Sequence, residues 1–282
     1  MKKLYELGLY EKAMPGSLSW REKLAAAKHS GYDFMEISID ETDTKLSRLD
    51  MNSGERKELV KAMFDEDLPI RSMCLSGHRR YPLGSDDPEA EKNSLDIMKK
   101  ALSFASDIGI RIIMLAGYDV YYEHSTQRTK DRFLKNLHRI VNMAAAEGII
   151  IAFETMETPF MNTVEKAMAY VTEINSPYLQ IYPDIGNITN AAEADGHDLW
   201  MDLRSGRGHI VAMHLKETLP GVFRNMMYGE GHVDFRKAID EAWHLGVRRY
   251  VTEFWDDGSV DWMRRLEFAS SYQKEILDNC KE

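Results

Sequence analysis

The sequence predicts a closed α/β barrel of eight βα units, the (β/α)8 fold. Three observations predict it. Short apolar, often β-branched runs alternate with longer amphipathic segments along the whole chain, the pattern of repeated βα units. Eight such pairs fit into 282 residues, about 35 residues each, where an open doubly wound sheet would usually carry only about five or six strands. The length suits one barrel domain over residues 1–282, because such barrels commonly use about 250 residues.

Taken in order, the expected strands are residues 4–10, 34–39, 70–76, 111–116, 149–155, 179–184, 210–216 and 249–254. The expected helices are 18–30, 54–66, 89–108, 127–147, 163–174, 198–206, 235–245 and 259–279. Gly31, Gly109, Gly148 and Gly246 stand at expected helix ends, where a residue free to take positive φ closes a helix. The stretches 77–88, 117–126, 186–196 and 217–233 read as loops, longer than the roughly two to six residues usual in βα units. Each follows a strand, on the face where barrel active sites are built. No glycine-rich phosphate loop follows the first strand, so a nucleotide site is not expected there.

Composition narrows the function. The apolar share of 44% and charged share of 29% are those of an ordinary globular enzyme. A net charge of −10 disfavours nucleic acid, whose non-specific affinity comes from basic patches. Two cysteines, Cys74 and Cys280, make no disulfide framework and fit a reducing, cytoplasmic compartment. Residues 1–10 lack a signal peptide's apolar stretch, and no run approaches the roughly 20 apolar residues of a membrane span, so no membrane association is expected.

The chemistry gathers at four consecutive strand ends. Strand five ends in Glu154, strand six in Asp184, strand seven carries His214 and strand eight Glu253. Any one of these would ordinarily be a structural polar group. Four at equivalent positions describe a site for one divalent cation, and three carboxylates with one imidazole suit Zn²⁺, Mn²⁺, Co²⁺ or Mg²⁺. His209 competes with His214 but falls at the start of strand seven, away from the barrel mouth, and reads as structural.

The segments FETMETPFMNT (153–163), YPDIGN (182–187), HIVAMHLKETLPGVF (209–223), YGEGHVDF (228–235) and VTEFW (251–255) resemble the L-xylulose/L-ribulose 5-phosphate 3-epimerase family, within the xylose-isomerase-like barrels. MPGSLSWREKL (14–24), SGHRRYPLGS (76–85) and AGYDVYYEHST (116–126) extend the likeness to nearly the whole chain. The resemblance implies a metal-dependent isomerase of a small phosphorylated ketopentose, a homodimer, and a place in L-ascorbate or pentose catabolism. It also implies that Glu154, Asp184, His214 and Glu253 are metal ligands and that Glu154 and Glu253 form the acid/base pair.

Inverting carbon 3 of a 2-ketose means taking a weakly acidic proton from one face and returning one to the other through a cis-enediolate. That reaction needs charge stabilisation and two bases. Related ketose 3-epimerases carry histidine where this chain has Asn187, which points away from free-sugar epimerases and leaves Asn187 to bind a hydroxyl. His78, Arg79, Lys216 and Arg224 are the candidates for the phosphate, with backbone amides near Gly229, Gly231 or the Ser76–Gly77 turn sharing it. The nearest rival is another sugar isomerase or dehydratase on the same scaffold. A DNA-repair endonuclease would need a basic face, and a non-catalytic sugar-phosphate-binding protein would not need both glutamates.

Overall fold

The computed structural model describes residues 3–280, so the ends of the expected 1–282 domain, residues 1–2 and 281–282, lie outside the described residues. Eight parallel strands are present: β1 Glu6–Tyr10, β2 Phe34–Ile39, β3 Ile70–Leu75, β4 Ile112–Ala116, β5 Ile150–Glu154, β6 Leu179–Ile181, β7 Met213–Leu215 and β8 Arg249–Thr252. They pair in the order β6-β5-β4-β3-β2-β1-β8-β7. Single parallel bridges, Ile181 with Ile210 and Asp184 with His214, join β6 to β7 and close the ring.

The helices are α1 Trp20–His29, α2 Asp43–Leu46, α3 Ser53–Asp65, α4 Pro88–Ile108, α5 Gln127–Glu147, α6 Val164–Ile174, α7 Ile185–Asp195, α8 Leu199–Ser205, α9 Phe235–His244 and α10 Trp262–Leu277. Gly109 and Gly148 close α4 and α5 at φ 90° and 65°. β6 and β7 are shorter than expected because Pro183 has no N–H to donate to a ladder; its carbonyl instead accepts from the His214 amide at 3.0 Å.

One expected loop is a helix. Residues 186–196 were expected to be a loop, but α7 occupies them, although Gly186, Asn187 and Asn190 are poor helix formers. Tertiary packing overrides propensity there. A side chain on Gly186 would meet the Lys216 carbonyl oxygen at 2.7 Å, so only glycine lets the first turn of α7 lie against the chain after β7. Asp184 caps this helix through Oδ1, which accepts the Asn187 amide at 2.7 Å.

The alternation of each strand sorts its residues into two layers. Outward residues such as Ile151, Phe153, Met213 and Leu215 join the main core between strands and helices. Inward residues Phe34, Cys74, Ile112, Met114, Ala152, Ala212 and Val251 fill the barrel interior. Phe34 enters that interior over Gly8, where an added Cβ would meet its ring at 2.4 Å. One pleat period higher, the same inward lines carry polar groups: Glu36 above Phe34, Glu154 above Ala152, His214 above Ala212 and Glu253 above Val251. The apolar interior is thus a floor, and the site stands directly on it.

Candidate active site and metal centre

Glu154, Asp184, His214 and Glu253 are all buried and offer ligand atoms within 4.8 Å of one another. His214 Nδ1 lies 2.7 Å from Glu253 Oε2, 3.6 Å from Glu154 Oε1 and 3.8 Å from Asp184 Oδ2. The closest of these contacts lacks the alignment of a hydrogen bond: Nδ1 and Glu253 Oε2 remain without one although buried, as does Asp184 Oδ2, whose one charged neighbour outside the cluster is Lys216 Nζ at 3.1 Å. Buried polar atoms are normally satisfied. Three atoms orphaned of hydrogen bonds and converging from three strand ends fit a divalent cation, which would satisfy all of them together with Glu154.

The field in this cluster is strongly negative. Burial alone would lower the pKa of His214, but the Glu253 and Glu36 carboxylates outweigh it and hold the pKa well above its ordinary value. Burial raises that of Asp184 to about 7, against the pull of Lys216 and with the repulsion of Glu253. Burial opposes ionisation of Glu253 too, yet Lys216 and His214 bring its pKa below the usual carboxylate value. A cation among them would neutralise the carboxylates that the His214 proton and Lys216 otherwise balance.

Around the cluster opens a pocket of about 410 Å³ whose walls include Glu154, Asn187, Lys216, Glu253, Tyr121 and Trp255. Arg79 and Arg224 also line it, as expected of phosphate candidates. Arg224 lies over the Trp255 ring at 5.4 Å, and among the described residues no carboxylate pairs with it within 4 Å. Arg79 lies over Tyr121 at 4.6 Å and donates to the Tyr118 hydroxyl at 3.2 Å. Lys12, which sequence reasoning missed, also lines the pocket and pairs with Asp40 at 2.5 Å; its signal was a position just past the end of β1.

Other expectations fall differently. His78 is not brought to the pocket: it is buried, its Nε2 faces the Ser94 carbonyl on α4 at 2.9 Å, and burial lowers its pKa to about 4. Lys216 is in the pocket but belongs to the ligand cluster, with Nζ 3.1 Å from Asp184 Oδ2 and donating to Asn187 Oδ1 at 2.8 Å. Asn187 is further fixed by donating to the Thr155 carbonyl at 2.8 Å. The Gly229 amide does not face the pocket for an anion. It donates to buried Glu217 Oε2 at 2.9 Å, and the Val233 amide donates to Glu217 Oε1 at 3.1 Å, so this carboxylate shapes the loop after β7. His209 Nδ1 lies 3.1 Å from Gln180 Oε1, outside the cluster, in the structural place expected of it.

Sequence reasoning also missed Glu36. It sits mid-strand in β2, fully buried, 2.6 Å from His214 Nε2. The available signal was a charged residue inside the otherwise apolar and small run FMEISI.

A barrel closed over an apolar floor, with a cluster at four strand ends that fits a cation, defines an α/β barrel with a candidate metal site at its mouth, and comparison with known proteins places it. A family model described as "Xylose isomerase-like TIM barrel" matches residues 24–273. Over 262 residues the chain is 45% identical to L-ribulose-5-phosphate 3-epimerase UlaE of Escherichia coli (strain SMS-3-5 / SECEC), covering 93% of this chain and 91% of that protein. The chain therefore belongs to the L-ribulose-5-phosphate 3-epimerase family of xylose isomerase-like TIM barrels. Among solved structures, a D-allulose 3-epimerase from Methylomonas sp. superposes with TM-score 0.78 at 19% identity over 97% of this chain and 98% of that one. An L-ribulose 3-epimerase gives 0.77 at 17% identity over 97% and 95%. At such identities these two share the fold.

Proposed function

We propose that this protein interconverts L-xylulose 5-phosphate and L-ribulose 5-phosphate by inverting carbon 3, with Glu154 and Glu253 as the two proton-transfer groups. The observation that carries the reading is the placement of the glutamates. They rise from β5 and β8, on either side of the β6 and β7 ends that bring Asp184 and His214, and both reach His214 Nδ1, at 3.6 and 2.7 Å. A substrate bound over the cluster would meet carboxylates that rise from two different strands, as inversion through a planar intermediate demands. One glutamate takes the carbon 3 proton and the other returns a proton to the opposite face, their roles exchanging in the reverse direction. The name and 45% identity of the Escherichia coli relatives support the pentulose phosphate as substrate.

Glu154, Asp184, His214 and Glu253 would hold one divalent cation, which when bound supplies Lewis acidity to the substrate's carbonyl and neighbouring hydroxyl oxygens. The residues around it do the rest. Lys216 and Asn187 brace Asp184 and offer donors to a substrate oxygen. Tyr121, Phe223 and Trp255 wall the pocket, shielding the reacting centre from bulk water. Arg224, free of a carboxylate partner, and Arg79, steadied on Tyr121, hold the phosphate at the mouth.

The test is turnover of Glu154→Gln and Glu253→Gln enzymes loaded with metal to the wild-type stoichiometry. Each should lose roughly 10²–10⁴-fold in kcat, the range of general acid–base catalysis. Near-normal turnover in either variant contradicts the two-base reading.

A further inference from the structure

We infer that Glu36 is a positioning residue for the metal centre: through His214 Nε2 it fixes which ring nitrogen faces Glu154, Asp184 and Glu253, and so sets the affinity of the site for its cation. The inference rests on the proposed metal role of His214 and deepens it.

The geometry is one-sided. An ionised carboxylate only accepts hydrogen bonds, so the imidazole nitrogen 2.6 Å from Glu36 Oε1 is the one that donates. With Nε2 committed downward to Glu36, Nδ1 is left as the nitrogen that the three acids surround. The second Glu36 oxygen is held in turn: Ser72 Oγ on β3 donates to Oε2 at 2.7 Å. The ring plane is also fixed, between Tyr182 edge-on at 4.9 Å and Tyr10 tilted at 6.2 Å.

A purely structural account of Glu36 is weak. The side chain is fully buried and stands on the apolar floor of Phe34, Ile112, Met114 and Ala152. Among the described residues no lysine or arginine pairs with it. A carboxylate in such a place costs stability unless it is paired and hydrogen-bonded. The group in contact with it is His214, whose other nitrogen is one of the three orphans of the cluster. A ligating histidine commonly hands its second nitrogen to a carboxylate, and losing that partner weakens metal binding.

The test compares wild type, Glu36→Gln, Glu36→Leu and Ser72→Ala, reading the dissociation constant for Mn²⁺ or Zn²⁺ by competition with a chelating dye and the melting temperature of each metal-free protein. The glutamine amide can rotate to donate to Nε2 and turn the proton to Nδ1, and leucine offers no acceptor. Both should bind metal about 10- to 100-fold more weakly, beyond any change in the metal-free melting temperature that losing a buried partner of His214 brings. Ser72→Ala leaves the His214 contact in place and should weaken binding only several-fold, and it keeps the test open should both Glu36 variants fail to fold. Metal affinity within twofold of wild type, whether in a folded Glu36 variant or, if neither folds, in Ser72→Ala, overturns the inference. A lowered metal-free melting temperature with unchanged affinity would make Glu36 a packing residue alone. Weakened metal binding with no epimerase activity in the wild type would uphold Glu36 and fail the proposed reaction, so the two outcomes separate.

Discussion

Replacing Glu11 by glutamine should remove a fully buried charge hub that ties three cations to one carboxylate. Glu11 follows β1 directly and is fully buried. Its carboxylate meets Lys23 of α1 at 3.1 Å, Lys45 of α2 at 2.5 Å and Arg48 at 2.5 Å, and accepts the Ser38 amide of β2 at 2.9 Å. Burial alone would raise its pKa, but Arg48 above all, with Lys23 and Lys45, brings it down from 4.5 to about 2. That displacement corresponds to about 3 kcal/mol at ~1.36 kcal/mol per pKa unit, close to the ~3–5 kcal/mol lost when one partner of a buried pair is removed. Urea unfolding at pH 7 should show Glu11→Gln less stable by about 3 kcal/mol, with a melting temperature lower by roughly 6 °C. Because the folded pKa is depressed, this stabilisation is complete above about pH 4.5 and is lost as pH falls toward 2. The gap between wild type and variant should therefore narrow through that window. A loss below about 1 kcal/mol at pH 7, or a gap that does not narrow in acid, refutes the reasoning.

Gly8→Ala forces a methyl group against the Phe34 ring at 2.4 Å and should cost about 1–3 kcal/mol by overpacking; an unchanged melting temperature would contradict it. Arg224→Ala should raise KM for the phosphorylated ketopentose about 10-fold or more, as expected for a lost charged hydrogen bond, without changing turnover of the free ketopentose. An equal effect on both sugars would place Arg224 off the phosphate. Stripping divalent metal with a chelator should lower the melting temperature by about 5 °C relative to protein held at about 100 times the metal's Kd, and calorimetry showing no shift would argue against a metal centre at Glu154, Asp184, His214 and Glu253.

Residues that act through strand periodicity were legible in the sequence. Each of β1 to β8 falls within its expected span, and Glu154, Asp184, His214 and Glu253 converge because inward alternation carries each to the same level above an apolar floor. What was not legible depended on contacts between distant segments. α7 reads as a loop because its glycine and asparagines answer to the Lys216 backbone and the Asp184 cap, which no local pattern reveals. Lys216 lines the pocket, as a phosphate candidate would, but its contacts with Asp184 and Asn187 were not legible in the sequence. His78 shares the basic stretch of Arg79 and Arg80, but the 3-10 turn Gly77–Arg79 sends the histidine inward to α4 while Arg79 stays at the pocket. Glu36 escapes a search of strand ends because it lies in the middle of one.

The most direct test follows L-xylulose 5-phosphate by NMR in D₂O with the metal-loaded protein. The account predicts L-ribulose 5-phosphate carrying deuterium at carbon 3, since the returning proton comes from a carboxylate that exchanges with solvent. No conversion and no exchange at carbon 3 would contradict it.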